Sequence, residues 1–295
     1  MRYRKTAGEL IFDIANICFM LVLILVCVYP FLYVVFASFS RPELLAEHSG
    51  FLTRPLGFTL KGYELVLKNP NVMTGYFNTL IYVLFGTALN VLMTTFGAYA
   101  LSRKRGILLK PIMFAITFTM FFSGGLIPNY LLVKNIGLLN SRLALIVPGA
   151  ISTWNLIVMR TSFKAIPDSL AESAKIDGAN DFVILFRIII PVSRAVIAVI
   201  TLFYAVTHWN SWFNAMIFLK DRELFPLQLI LREILIEQDV GNMGQAVDVG
   251  QTGADLYKLL VQYCTIIVAT VPILFAYPFL QKYFVKGIML GSIKE

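Results

Sequence analysis

Charge is what this sequence has least of: Asp, Glu, Lys and Arg make up 14% of its 295 residues, where a soluble domain carries about a quarter. Histidine is scarcer still, and His48 and His208 stand too far apart to suggest a metal pair. The three cysteines, Cys18, Cys27 and Cys264, all fall within apolar runs. That placement supports neither a disulfide framework nor a CxxC metal site. Nucleotide chemistry is missing too. The nearest approach to a phosphate loop, Gly57-Phe58-Thr59-Leu60-Lys61-Gly62 followed by Tyr63-Glu64, lacks the Lys and then Ser or Thr that reach the phosphates and magnesium. These deficits leave the chain with no assigned catalytic residue, no metal ligand and no cofactor of its own.

What is abundant is apolar: 58% of residues are hydrophobic and the mean hydropathy is +0.76. The apolar residues lie in blocks with the charges between them. Six charge-free stretches stand out, at about 14–36, 77–101, 111–133, 143–159, 195–219 and 259–281. A bilayer core needs roughly 20 predominantly apolar helical residues. The runs are continuous, as in Leu21-Val22-Leu23-Ile24-Leu25-Val26, whereas barrel strands alternate polarity. The expected fold class is therefore all-α, a polytopic membrane protein with six transmembrane helices in a single domain, 1–295. Pro30, Pro272 and Pro278 fall inside spans, where neighbours can cover the freed carbonyls. The first run exceeds the ~7–15 residues of a signal-peptide core, so a retained anchor is expected.

The charges also orient the spans. With six of them, residues 1–13, 102–110, 160–194 and 282–295 share one side and carry 15 Lys/Arg against 7 Asp/Glu. The opposite set, 37–76, 134–142 and 220–258, carries 10 of each. Lys and Arg accumulate in cytoplasmic loops, so both termini are expected in the cytoplasm. A basic inner face accounts for the net charge of +8, and no nucleic acid need be invoked.

No Asp, Glu, Lys or Arg falls inside the six stretches. Pumps that run on proton or sodium gradients keep such residues at depth, which weakens a stand-alone secondary transporter. The spans instead offer Asn78, Asn90, Asn129, Asn155, Asn210 and Asn214, with threonines and aromatics such as Trp209. These groups suit a neutral, hydroxyl-rich solute, and Asn78, Asn129, Asn155, Trp209, Asn210 and Asn214 are the solute-path candidates. The competing reading is hydrogen bonding between helices.

The most informative segment is the basic-side loop Ile166-Pro167-Asp168-Ser169-Leu170-Ala171-Glu172-Ser173-Ala174-Lys175-Ile176-Asp177-Gly178-Ala179-Asn180. Ser169 and Glu172 have the spacing of a capping box, and Gly178 suits the left-handed residue that ends a helix. Leu170, Ala171 and Ala174 share a small, weakly apolar face. Asp177 opposes the helix dipole with no evident folding benefit. A second stretch, 181–190, leads through Pro191 to the fifth span. The pattern reads equally as a docking elbow or as an interfacial connector.

Glu172-Ser173-Ala174, Gly178 and Ile188-Ile189-Ile190-Pro191 resemble the EAA loop of ATP-binding-cassette (ABC) importer permeases. Its pattern is Glu-Ala-Ala, three residues, Gly, nine residues, then Ile-x-Leu-Pro. Ser173 and Ile190 depart from it mildly in size. The resemblance implies a type I importer permease fold with a cytoplasmic coupling helix in the bacterial inner membrane. Carried over by position, Ala171, Glu172, Ser173, Ala174, Asp177 and Gly178 would dock an ATPase. The implied partners are a second homologous permease subunit, two copies of an ATPase that holds the ATP and magnesium, an extracytoplasmic solute-binding protein, and membrane lipid.

Three further places resemble the carbohydrate branch of that family: Trp209-Asn210-Ser211-Trp212-Phe213, Phe225–Arg232, and the C-terminal run from Gln281 to Glu295. The branch's tails contact the ATPases, which would place Gly291, Ser292, Ile293 and Lys294 at that contact. The tail and Pro128–Val133 are most similar to permeases for complex oligosaccharides, including polysaccharide-derived uronates. An importer of a polyol or phosphodiester is the alternative, because such permeases share the same docking parts.

Overall fold

The computed structural model describes residues 6–103, 108–244 and 257–275. Among these the chain is all helix apart from one isolated bridge, Ser40 to Phe58. In chain order the helices are α1 (Ala7–Ser38), α2 (Pro42–Glu47) and α3 (Lys61–Lys68). The long α4 (Pro70–Ser102) follows, then α5 (Leu109–Phe121), α6 (Leu126–Asn135) and the single turn α7 (Leu143–Ile146). Next come α8 (Thr153–Lys164), α9 (Asp168–Ile176), α10 (Asp181–Val192) and α11 (Arg194–Trp209). The last are α12 (Phe213–Phe218), α13 (Leu227–Gly244) and α14 (Tyr257–Phe275). The described residues form two compact units, 6–69 with 234–244 and 257–270, and 70–103 and 108–233 with 271–275, so that α13 and α14 each run from one unit into the other.

In the first unit, α1 starts on a complete capping box. Thr6 Oγ1 accepts from the Glu9 amide, and the Glu9 carboxylate accepts from the Thr6 amide at 2.8 Å. Its long apolar body is exposed over its most hydropathic 18 residues, as a helix solvated by lipid requires. At its far end the polypeptide folds back on itself. Ser40 Oγ donates to the Phe36 carbonyl and accepts from the Leu56 amide, and the Arg41 amide donates to the Leu56 and Gly57 carbonyls. Gly57 takes φ +63, a left-handed position that suits glycine. Gly62 lets α3 lie close on α14, since a Cβ there would meet Cys264 Sγ at 2.6 Å.

The second unit is built around α4. Two wide π-turns interrupt its helices, at Tyr82–Gly86 in α4 and at Leu185–Ile189 in α10. The second lies just before Pro191, whose missing N–H cannot bond the carbonyl of Arg187; a wide turn accommodates that gap. A buried apolar cluster joins Ala98 of α4, Leu156, Met159 and Phe163 of α8, Ile184, Leu185 and Ile189 of α10, and Ile200 and Tyr204 of α11. A second cluster joins Tyr82, Val133, Leu145, Ile146, Phe218 and Leu229.

Three of the described helices, α1, α4 and α14, are each long and apolar enough to cross a bilayer, or up to five spans if two bent pairs each count as one. The six uninterrupted spans expected from hydropathy are thus broken in places. The third stretch folds as α5 and α6, bent by 116° at Ser123-Gly124-Gly125, where Gly125 has φ +84. The expected span at 143–159 is not one helix. It breaks between α7 and α8, around Pro148 and Gly149, where proline removes a donor and glycine relaxes the chain. The fifth stretch ends its first helix at Trp209 and resumes as α12. Window hydropathy counts apolar residues and is blind to such breaks.

Gly86, in the first π-turn, has the His208 ring against its Cα, and an added Cβ would overlap the imidazole. Gly86→Ala is expected to lower the thermal stability of the detergent-solubilised protein by about 1–3 kcal/mol. Combining it with His208→Ala should recover part of the loss, measured by parallel melting curves. An unchanged melt for Gly86→Ala would contradict the contact.

Candidate functional site

The elbow between α8 and α11 contains the expected docking residues, and its geometry follows from local chemistry. The helix α9 does not begin as its spacing suggests. Pro167 takes the N-cap position, with φ −55 and ψ 133 and no side-chain cap bond. Ser169 is therefore already within the helix, and the Ser169–Glu172 capping box does not form. The other end behaves as the sequence implies. Gly178 takes φ +81, its amide donates to the Lys175 carbonyl at 3.0 Å, and the Ala179 amide donates to the Ala174 carbonyl at 2.9 Å. This pair of bonds is a Schellman closure. Asn180 then caps α10 through Val183 N at 2.9 Å, so only residues 177–180 separate one helix from the next. Lys175 Nζ reaches Asp181 Oδ1 at 2.9 Å across the turn.

The small apolar face faces inward. Ala171 is buried in the unit's own core, and Ala174 packs against the same cluster. The face expected to be shared by Leu170, Ala171 and Ala174 is thus split, with Leu170 exposed and the two alanines packed on the cluster that contains Phe163 and Ile184. What the elbow exposes is Leu170, Glu172, Ser173, Asp177 and Gly178, and above all Ile176, which is 88% exposed. Sequence reasoning missed Ile176. Its signal was available: an isoleucine that falls outside the apolar stripe of an amphipathic helix has no partner within the chain.

The solute-path candidates fare differently from one another. Asn78 is buried and fully engaged, donating to the carbonyls of Glu223 at 2.6 Å and Phe225 at 3.2 Å and accepting from Arg142 Nη2 at 3.0 Å. It acts as a structural bracket and not as a lining group. Trp209 is buried, with Tyr76 edge-on to its ring at 5.9 Å. Asn155 is buried near the start of α8, where Ser152 is the N-cap. Asn129, Asn210 and Asn214 are exposed. The Asn210 amide donates to the Val206 carbonyl at 2.9 Å, closing the last turn of α11.

The strongest buried polar system uses residues outside that set. Asn90 donates to the Gly149 carbonyl, and its own oxygen lies 2.7 Å from His208 Nε2. One turn along α4, the Thr94 and Tyr204 hydroxyls are 2.7 Å apart, and the Tyr204 oxygen accepts from the Ser152 amide at 2.9 Å. Towards its start, α4 offers Thr79 Oγ1 to the Leu227 amide at 2.9 Å and the Tyr82 hydroxyl to the Leu224 carbonyl at 2.7 Å. The segment opening at Phe225 is thereby fastened to α4. The expected tail contact, Gly291, Ser292, Ile293 and Lys294, lies outside the described residues.

No protein-family model matches the chain. Individual relatives do. The chain is 41% identical over 284 residues to the polygalacturonan/rhamnogalacturonan transport system permease protein YtcP of Bacillus subtilis, covering 96% of this chain and 98% of that one. It is 38% identical over 295 residues to protein LplC of the same organism, covering 98% and 97%. Among solved structures, a chain from a bacterial ABC transporter involved in the import of the acidic polysaccharide alginate superposes with a TM-score of 0.87 at 32% identity. That match covers 96% of this chain and 99% of the other.

The two kinds of asparagine are separable by experiment. Asn78→Ala leaves the Arg142 guanidinium and two carbonyls short of a partner, and is expected to lower stability by about 1–3 kcal/mol. Asn129→Ala, at an exposed position, should leave the melting curve within about 0.5 kcal/mol of the parent. Equal melting of both variants in detergent would remove the structural role given to Asn78.

Proposed function

This chain belongs to the permease subunits of ABC sugar importers, and from that premise we propose that it forms half of an oligosaccharide path driven through its helical elbow. The single observation that carries this reading is the elbow itself. An exposed helix end, Ile176-Asp177-Gly178, is set by a left-handed glycine closure and backed by a buried apolar core. A rigid, projecting helix of this kind transmits displacement, because packed cores shift between discrete arrangements and do not deform smoothly. Glu172, Ser173, Asp177 and Gly178 present the docking surface, Ile176 anchors it, and Ala171 and Ala174 hold α9 to the spans.

In this reading ATP is hydrolysed by a separate pair of ATPase subunits. Closure of that pair draws this elbow and its counterpart on a second permease together, which turns the path from outward-facing to inward-facing. Such a shift follows only if the closed ATPase pair binds one arrangement better than the other. Six spans, with both termini and the elbow on the cytoplasmic face, agree with the 15 to 7 excess of basic over acidic residues on that side. An extracytoplasmic binding protein delivers the cargo. The names of the relatives, one a polygalacturonan/rhamnogalacturonan permease and one an importer of the acidic polysaccharide alginate, support an oligosaccharide cargo with uronate units.

The test begins with affinity purification of the chain from its native membrane, which should retain one other permease and an ATPase. Gly178→Asp forces a side chain into a left-handed conformation at roughly 1–2 kcal/mol and adds charge to the exposed tip. The variant should insert at the parental level and lose most of the co-purifying ATPase and most ATP-dependent uptake in vesicles. Parental uptake by Gly178→Asp, or solute movement by the isolated chain without ATP, would overturn the proposal.

A further inference from the structure

Behind the elbow lies a pocket of about 530 Å³ lined by Tyr99, Ala100 and Arg103 of the α4 end and by Asp168, Ala171, Glu172, Lys175 and Asp181. Arg103 is held there by its stem and one edge. Its guanidinium carbon lies 4.7 Å from the centre of the Tyr99 ring, and Nη1 is 4.0 Å from Asp168 Oδ1, the outer limit of an ion pair. The remaining donors, Nε and Nη2, are buried with no acceptor. A buried guanidinium N–H without an acceptor is costly, more so than a neutral one. The other cation of the pocket, Lys175, is paired with Asp181 at 2.9 Å.

We propose that this pocket receives a neutral hydrogen-bond acceptor from the ATPase, a main-chain carbonyl or side-chain amide on a loop that enters behind α9 and completes the coordination of Arg103. The inference rests on the docking role of the elbow argued above. Three features select the occupant. The unmet donors of Arg103 call for an acceptor. Asp168, 4.0 Å from Nη1, already faces the guanidinium charge, so what Nε and Nη2 lack is a hydrogen-bond oxygen and not a second anion. Glu172 opens the pocket on the same helix that carries the exposed Ile176 tip, so a partner seated on the tip has the pocket within reach. The long Arg103 side chain swings its fork onto the incoming oxygen, which ties α4 and the ATPase to a single guanidinium. Docking would then be read by the α4 span directly as well as through α9.

The test uses the assembled importer. A benzophenone side chain, introduced genetically in place of Ala100, reports on the pocket, and one in place of Ile176 reports on the helix tip. After irradiation in native membranes, both positions are expected to cross-link to the ATPase. Cross-linking from position 176 alone keeps the docking role and overturns the pocket proposal, as does capture of lipid at position 100. No ATPase adduct from either position overturns both. In parallel, Arg103→Lys keeps the charge and removes the fork, and should weaken ATPase retention about tenfold. Retention equal to the parent by Arg103→Lys, with position 100 silent, rejects the pocket.

Discussion

The constraint on which the second unit depends is that every main-chain polar group freed by a broken helix must find a partner where water is excluded. Its chain is broken repeatedly, at Gly125, at Pro148-Gly149, at Ser193 and after Trp209. One element, α4, supplies partners for the second of these breaks and for the segment that leads into α13. Asn90 and the Thr94–Tyr204 pair hold the 149–152 segment, while Asn78, Thr79 and Tyr82 hold residues 223–227. Irregular backbone at membrane depth is tolerated only where protein buries it. The polar residues of α4 are what make that burial possible, and the helix in turn stays continuous through a π-turn instead of a kink. At its end the debt is returned by Arg160, whose Nε donates to the Leu101 carbonyl at 2.8 Å.

The elbow follows a second logic, in which small residues inside permit rigidity outside. Ala171 and Ala174 bring α9 down onto Phe163 and Ile184, and the closure at Gly178 fixes where α10 departs. Between them they leave Ile176 as an exposed apolar tip among the described residues. A surface helix that buries its alanines and exposes an isoleucine has its packing inverted relative to a free-standing domain. The ATPase contact proposed above would cover that isoleucine. The core that backs α9 also contains Ile189, Ile200 and Tyr204 of the helices leading to the polar brackets of α4. One buried core thus joins the helix behind the tip to the helices that hold the broken segments.

Several functional readings of single residues changed because their types were right and their partners were unknown. Asparagine at depth serves an interhelical bond more often than a sugar hydroxyl, and only position decides. Asn78 holds three partners, Asn210 closes its own helix through the Val206 carbonyl, and Asn129 and Asn214 are exposed. His208 looked isolated in the sequence because Asn90 is 118 residues away. The Ser169–Glu172 spacing was sound, but Pro167 entered the helix boundary first.

By itself the sequence determined the all-helical class, the apolar segments, the elbow from Glu172 to Pro191 and the left-handed turn at Gly178, because these rest on local periodicity and on glycine and proline stereochemistry. Membership of the importer family was legible there too, through spacing within twenty residues. Tertiary structure alone decided where the apolar stretches break, which face of α9 is free, and which asparagines are brackets. Those outcomes depend on carbonyls and amides far apart in the chain finding one another in a medium with no water to substitute. No local pattern encodes that pairing.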